Sequence, residues 1–258
     1  MIQVITQLMP NFLILSLFLF VIANPNFAQA TAPTSIKIAA AADLRFVMQK
    51  LITQFQTEHH SATFSENYGS SGNFVSQLKN GADYDIFFSA NKKLAEDLVA
   101  ASLTEGSAQE YAIGILVLCG AKNFNELSQS SIKKIAIANP SHAPYGEIAL
   151  EAMKAEHIFS KIESKLVFGD SVSQAAQFIQ IGAASAGLIS KSLSQIPSMK
   201  AISCFEVDAS LYKPLHQSFV VLKTSKQPEL AKQFAQFILS PEAKEILKQN
   251  GFKATTQE

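Results

Sequence analysis

Ser61-Ala-Thr-Phe-Ser-Glu-Asn-Tyr68, Gly69-Ser-Ser-Gly72, Asn73-Phe-Val-Ser-Gln-Leu-Lys-Asn80 and Gly81-Ala-Asp-Tyr-Asp-Ile-Phe-Phe-Ser89 follow one another without a break. The first piece alternates as a strand does. Phe74, Val75 and Leu78 then recur at helical spacing, Asn80-Gly81 stops the helix, and Asp85 to Ser89 is an uninterrupted apolar strand. Strand, helix and strand in this order make a parallel unit buried on both faces, whose ligands sit at the carboxyl ends of its strands. The chemistry belongs to the turn, Gly69-Ser-Ser-Gly72. A helix start leaves backbone N–H groups without intrahelical partners and carries partial positive charge, so it receives an anion. Ser70 and Ser71 add hydroxyl donors, while Gly69 and Gly72 keep side chains away. The same four residues also suit an ordinary turn or helix cap, so the functional reading draws on the rest of the chain.

Working outward, Ser35-Ile-Lys-Ile-Ala-Ala40 reads as an earlier strand, and Leu44, Val47, Met48, Leu51, Ile52 and Phe55 mark a helix from Leu44 to His59. A helix through Leu94, Leu98 and Val99 follows Ser89. A second set begins near Ile113. Strands at Ile115 to Leu118, Lys134 to Ala138, Lys165 to Phe168 and Ala184 to Ile189 alternate with helices at 146–156 and 171–181. His216 to Lys223 is a further strand. Two amphipathic helices close the pattern, Pro228 to Leu239 and Pro241 to Asn250, with Gly251 as the stop. The expectation is an α/β protein of two lobes joined by crossing strands, 31–112 plus 214–258 and 113–213, each a mixed, mostly parallel sheet flanked by helices.

The 258 residues suffice for such cores, and 48% hydrophobic composition excludes disorder. Lys plus Arg and Asp plus Glu number 21 each, for zero formal net charge and no basic cluster. Nucleic acid is therefore not an expected partner, and a bound anion must be held by local dipoles. Residues 1–30 read as a secretory signal: Phe12 to Ala23 is apolar but too short to span a bilayer, and Ala28-Gln29-Ala30 predicts cleavage after Ala30. No Lys or Arg precedes Lys37, which leaves an uncleaved anchor as the alternative, and no cysteine lies nearby to carry a lipid. Cys119 and Cys204 both fall in strand-like runs, where export permits a disulfide and burial permits two free thiols. Neither has the neighbours of a zinc site.

Four turns between strands and helices are short and rich in small or hydroxyl residues: Ala39-Ala-Ala-Ala-Asp43, Gly69-Ser-Ser-Gly72, Asn139-Pro-Ser-His-Ala-Pro-Tyr-Gly146 and Gly169-Asp-Ser-Val172. Facing two against two, they surround a small tetrahedral anion. These turns, with Asn80-Gly-Ala-Asp-Tyr-Asp-Ile-Phe-Phe-Ser-Ala90, Ala183 to Leu188, Ser240-Pro-Glu-Ala243 and Gly251-Phe252, resemble the periplasmic molybdate-binding proteins of ABC importers in order and over nearly the whole chain after residue 30. The resemblance implies a two-lobed type II periplasmic-binding fold, no cofactor, molybdate or tungstate as ligand, and a membrane permease with a separate ATPase as partner. It also implies a monomer in the periplasm. No Gly-x-x-x-x-Gly-Lys-Ser/Thr phosphate loop occurs in the chain, in keeping with ATP belonging to another subunit.

Carried over by position, the resemblance gives Asp43, Ser71, Tyr145, Val172 and Ser190 as the oxyanion-binding set, with Ser70, Gly72 and Ser171 beside them. Tyr145 and Val172 contribute backbone N–H groups. Ser190 stands where some relatives have tyrosine, and Asp43 where many have serine. An ionised carboxylate accepts but does not donate, so Asp43 opposes an anion unless it serves as the N-cap of the following helix. It is also the argument for the alternatives, another oxyanion or a metal cation. No cation ligands are expected otherwise: His59, His60, His142, His157 and His216 lack helical metal spacing. An enzyme reading uses Ser71, Asp170 and His216 in hydrolase order, but Gly69-Ser-Ser-Gly72 lacks the Gly-x-Ser-x-Gly spacing, and no enzyme is expected.

Overall fold

β1 (Thr34–Ala41) is buried along both faces through Ile36, Ile38, Ala39 and Ala40, which is why its sequence reads as small and branched apolar residues without alternation. The computed structural model describes residues 34–255, so the secretory signal predicted for 1–30 lies outside it. A 3-10 turn at Ala42–Leu44 leads into α1 (Arg45–Phe55), which buries Val47, Met48, Leu51, Ile52 and Phe55. β2 (Ala62–Gly69) passes through Ser70 into α2 (Ser71–Lys79), and Gly81 ends that helix with φ 86°, a conformation suited to glycine. β3 (Ile86–Ser89) is followed by α3 (Lys92–Ala100), capped by Asn91, whose side chain accepts from the Lys93 N–H. Next comes β4 (Thr104–Gly114), a strand that the sequence pattern misses.

One residue beyond Gly114 the chain enters a second sheet as β5 (Leu116–Cys119). β6 (Ile135–Ala138), α4 (Pro144–Ala155), the short α5 (Phe159–Ile162), β7 (Leu166–Gly169), α6 (Val172–Gln180), β8 (Ala186–Ser190), α7 (Lys191–Ser194) and β9 (Cys204–Glu206) follow. The chain then returns to the first sheet as β10 (Leu215–Leu222) and continues through α8 (Pro228–Ile238), α9 (Pro241–Gln249) and β11 (Phe252–Lys253).

The first sheet has the order β11-β4-β10-β3-β1-β2 and the second β7-β6-β8-β5-β9. β1 lies parallel to β2 and β3, β6 lies parallel to β7 and β8, and the remaining pairings are antiparallel. Each sheet, with its helices, makes one lobe. The two crossings lie side by side, since Leu215 pairs with Gly114 and the Leu116 N–H donates to the Tyr212 hydroxyl at 3.3 Å. In the first lobe Phe234 packs its ring against Phe55, Phe64, Phe88 and Phe237, with centroids 5.0 to 6.2 Å apart; truncating such a ring costs about 3 to 5 kcal/mol. Buried Asp85 ties β1 to the segment before α8, accepting from the Lys37 N–H at 2.7 Å, the Ser225 hydroxyl at 2.6 Å and the Lys226 N–H at 2.8 Å. In the second lobe Cys119 and Cys204 face each other across β5 and β9 and form a disulfide. Among the described residues no helix is long and apolar enough to cross a membrane.

Candidate functional site

Because β1, β2, β6 and β7 are parallel within their sheets, each sheet gathers the turns that follow its strands at one edge, and the two edges meet. The cavity between them is lined from the first lobe by Asp43 in the 3-10 turn before α1, by Ser70 and Ser71 at the start of α2, and by Ala90 beyond β3. From the second lobe come Ala143, Pro144 and Tyr145 at the start of α4, and Val172, the first residue of α6. It is a small cavity of about 200 Å³, part of it open to solvent. A helix start leaves N–H groups without intrahelical acceptors. At α2, α4 and α6 those of Gly72, Gly146 and Gln174 are taken by the His142 and Ala143 carbonyls and the Ser171 hydroxyl. The donors these three positive dipole ends bring to the cavity are therefore Ser71, Tyr145 and Val172, all lining residues.

Ser71 is buried, and its Oγ accepts the Ala90 N–H at 2.9 Å, which leaves the hydroxyl proton free to be donated. Contacts that close the lobes run just beside it. The Gly72 N–H donates to the His142 carbonyl at 2.9 Å, and the Ser70 hydroxyl meets His142 Nδ1 at 2.9 Å. His142 Nε2 lies 3.4 Å from Asp170, which also accepts from Asn73 at 3.4 Å. Gly72 is needed here because a Cβ would sit 2.7 Å from the His142 carbonyl oxygen.

Asp43 is wholly buried and occupies the 3-10 turn before α1, whose N-cap is Leu44, so it is not the side-chain cap that the sequence suggests. Its Oδ2 accepts from Gln217 Nε2 on β10, and Gln217 Oε1 accepts from the Tyr111 hydroxyl on β4 at 2.6 Å. Oδ1 is buried without a hydrogen-bond partner. Loss of water raises the Asp43 carboxyl from 3.8 to about 6, against the opposing pull of Gln217, Tyr145 and the N–H groups of Asp43 and Leu44. Burial, and then the Asp43 charge, holds the hydroxyls of Tyr111 and Tyr145 well above the usual tyrosine range. The Tyr145 hydroxyl stands 3.5 Å from Gln217 Nε2, so this lining residue reaches the crossing strands through its side chain. Gly114 makes room for both, since a Cβ there would lie 2.5 Å from the Tyr145 hydroxyl.

The remaining expected residues lie outside the cavity lining. Gly72 uses its N–H on His142. Ser171 caps α6 by accepting from the Gln174 N–H at 3.4 Å. Ser190 is buried at the N-cap of α7, where its Oγ meets Ser192 Oγ at 3.0 Å, and Ser192 in turn donates to the Asp43 carbonyl at 2.8 Å. Ser71, Asp170 and His216 are not assembled as a triad, for Asp170 contacts His142 and His216 Nδ1 pairs with Glu110 at 2.7 Å. Among the described residues no group of three or more His, Cys, Asp and Glu could hold a metal ion. Gln217, Tyr111 and His142 are participants that sequence reasoning did not place. The nearest signal was His142 itself, inside one of the four turns.

Residues 36–253 match the family described as bacterial extracellular solute-binding protein. The chain is 35% identical over 205 residues, 76% of this chain and 79% of the relative, to the molybdate-binding protein ModA of Rhodobacter capsulatus. Among solved structures it is similar to the periplasmic molybdate-binding protein of Azotobacter vinelandii, with TM-score 0.78 and 29% identity, covering 86% of this chain and 100% of that one. It is also similar to a substrate-binding domain assigned to a molybdenum ABC transporter of Clostridium difficile, with TM-score 0.66 and 27% identity over 86% of this chain and 99% of that one.

Proposed function

The chain belongs to the bacterial extracellular solute-binding proteins, and from that premise we propose that it is the solute-binding component of an ABC importer, capturing molybdate or a similar tetrahedral oxyanion such as tungstate. The observation that carries this reading is the convergence of Ser71 and the first turns of α2, α4 and α6 on one cavity. Uncharged donors suffice for a dianion, since each hydrogen bond to a charged group contributes about 1.5 to 3 kcal/mol and an unfilled buried donor costs a similar amount. A guest of the wrong size leaves donors unfilled, which is the basis of selectivity.

In this reading the oxyanion set is Asp43, Ser71, Tyr145 and Val172, with Ser190 joined to it through Ser192 and the Asp43 carbonyl, and Ser70, Gly72 and Ser171 supporting it. The lobes are 31–112 plus 214–258 and 113–213, and the protein is exported to the periplasm as a monomer after cleavage behind Ala30. No bond is made or broken. Closure shifts a population between open and closed forms, and the closed form engages the permease, whose ATPase is a separate subunit. Calorimetric titration of the exported chain with molybdate, tungstate, sulfate and phosphate tests the proposal. Molybdate and tungstate are expected to bind with a clear thermal shift; no heat and no shift with any of the four would refute it.

A further inference from the structure

Asp43 is the single acid among the residues that line the cavity, and both of its oxygens constrain what it does there. The Gln217 amide is oriented by Tyr111, whose hydroxyl donates to Oε1, so Nε2 faces Asp43 and makes Oδ2 an acceptor. Oδ1 is buried, and the Tyr145 hydroxyl and the Asp43 and Leu44 N–H groups, though near the carboxyl, close no hydrogen bond to it, so a proton finds room there. The groups facing the carboxyl offer no compensating cation. Tyr145 comes from α4 with Tyr212 behind it, Tyr111 from β4, and Gln217 from β10. Ser192 on α7 reaches the Asp43 carbonyl, Arg45 lies over the Tyr68 ring at 5.3 Å, and His142 is engaged with Ser70 and Asp170. Asp43 joins no ion pair among the described residues. An ionised Asp43, itself buried from water, would therefore face a dianion with no positive side chain between them.

We infer that Asp43 enters the loaded site as a neutral acid whose Oδ1–H donates to a guest oxygen, so that capture of a fully deprotonated oxyanion takes up one proton from solvent. The inference rests on the oxyanion reading and adds to it a specificity determinant. The balance is simple: carboxylate, dianion and one proton combine into a carboxylic acid hydrogen-bonded to the dianion, and release returns the proton. A guest that carries its own proton, such as hydrogen phosphate, can donate to the ionised carboxylate and needs none. Burial already holds the free acid near the range where this uptake is easy.

The test is calorimetry with molybdate at pH 8 in two buffers of different ionisation heat, followed by titrations from pH 7 to 9. The wild-type protein is expected to take up about one proton per molybdate and to bind close to tenfold more weakly for each pH unit. Asp43→Asn, which keeps a donor and loses the titration, is expected to bind with no proton uptake and a flat profile. Molybdate binding to the wild-type protein without proton uptake overturns the inference and leaves the oxyanion reading standing, as does undiminished uptake in the variant. Absence of molybdate and tungstate binding at every pH removes both. Should the variant fail to fold, the two-buffer measurement on the wild-type protein decides alone.

Discussion

Burial of Asp43 raises its carboxyl from 3.8 to about 6, and the shift ties the stability of the empty protein to pH. Below pH 3.8 the group is protonated in both folded and unfolded chains, and its contribution is fully present. Between 3.8 and 6 the unfolded chain releases the proton while the fold retains it, so stability falls as pH rises and levels off above about 6. Roughly two pH units at about 1.4 kcal/mol each make about 3 kcal/mol. Asp43→Asn should remove this slope: urea unfolding at pH 4.5, 6 and 7.5 is expected to show the variant gaining on the wild-type protein as pH rises. Parallel curves would mean that the carboxyl is not desolvated. Ser71 and Asp43 line the cavity from two of the four short turns picked out in sequence, whereas their place in an oxyanion set was implied by the resemblance. Gln217 and Tyr111 were not legible, for Gln217 lies 174 residues from its Asp43 partner and sits in a strand whose pattern marks only burial.

At the scale of elements, most strands and helices were legible because each keeps one pattern throughout, whether helical spacing, alternation or an unbroken apolar run. β4 was not, and its pairing with β10 explains why: the register shifts at Gln217/Ser218 and again at Phe219/Val221, and Gly106 adopts φ 80° within the strand. Bulges break the two-residue alternation from which a strand is recognised. The Cys119–Cys204 bridge belongs to this scale too, since sequence could not give the distance that the β5 and β9 register supplies. With the cysteines 85 positions apart, loop-closure entropy assigns the bond about 4.6 kcal/mol, and measured losses for such bonds run about 2 to 5 kcal/mol. Cys119 pairs with Gly187 near the start of β8, whereas Ser190 at its end adjoins Ser192 and Asp43, so the bridge and the cavity lie at opposite ends of the strand. Replacing both cysteines with serine should lower the urea midpoint markedly and leave molybdate affinity nearly unchanged. An equal loss of both would show that the bridge shapes the site.

At the scale of the whole described chain, function depends on the two lobes meeting, and at the rim of the cavity they meet backbone against backbone at Gly72 and His142. Rotating a side chain relieves many clashes, but a carbonyl fixed at a helix start cannot move aside alone. A Cβ at position 72 would lie 2.7 Å from the His142 carbonyl oxygen and 3.0 Å from its Cα, so the lobes themselves must part. Gly72→Ala should therefore weaken molybdate binding by more than tenfold and hold the loaded protein in a more open form, read as a larger radius of gyration by small-angle scattering. His142→Ala removes the Ser70 and Asp170 contacts but keeps the Gly72 N–H bond to the carbonyl, and the loss of about one net hydrogen bond predicts a decrease of roughly fivefold without opening. The contrast separates a latch made of side chains from a seat made of main chain. If Gly72→Ala binds and closes as the wild-type protein does, contact at this point does not govern capture, and closure must be driven from the crossing strands around Gln217 instead.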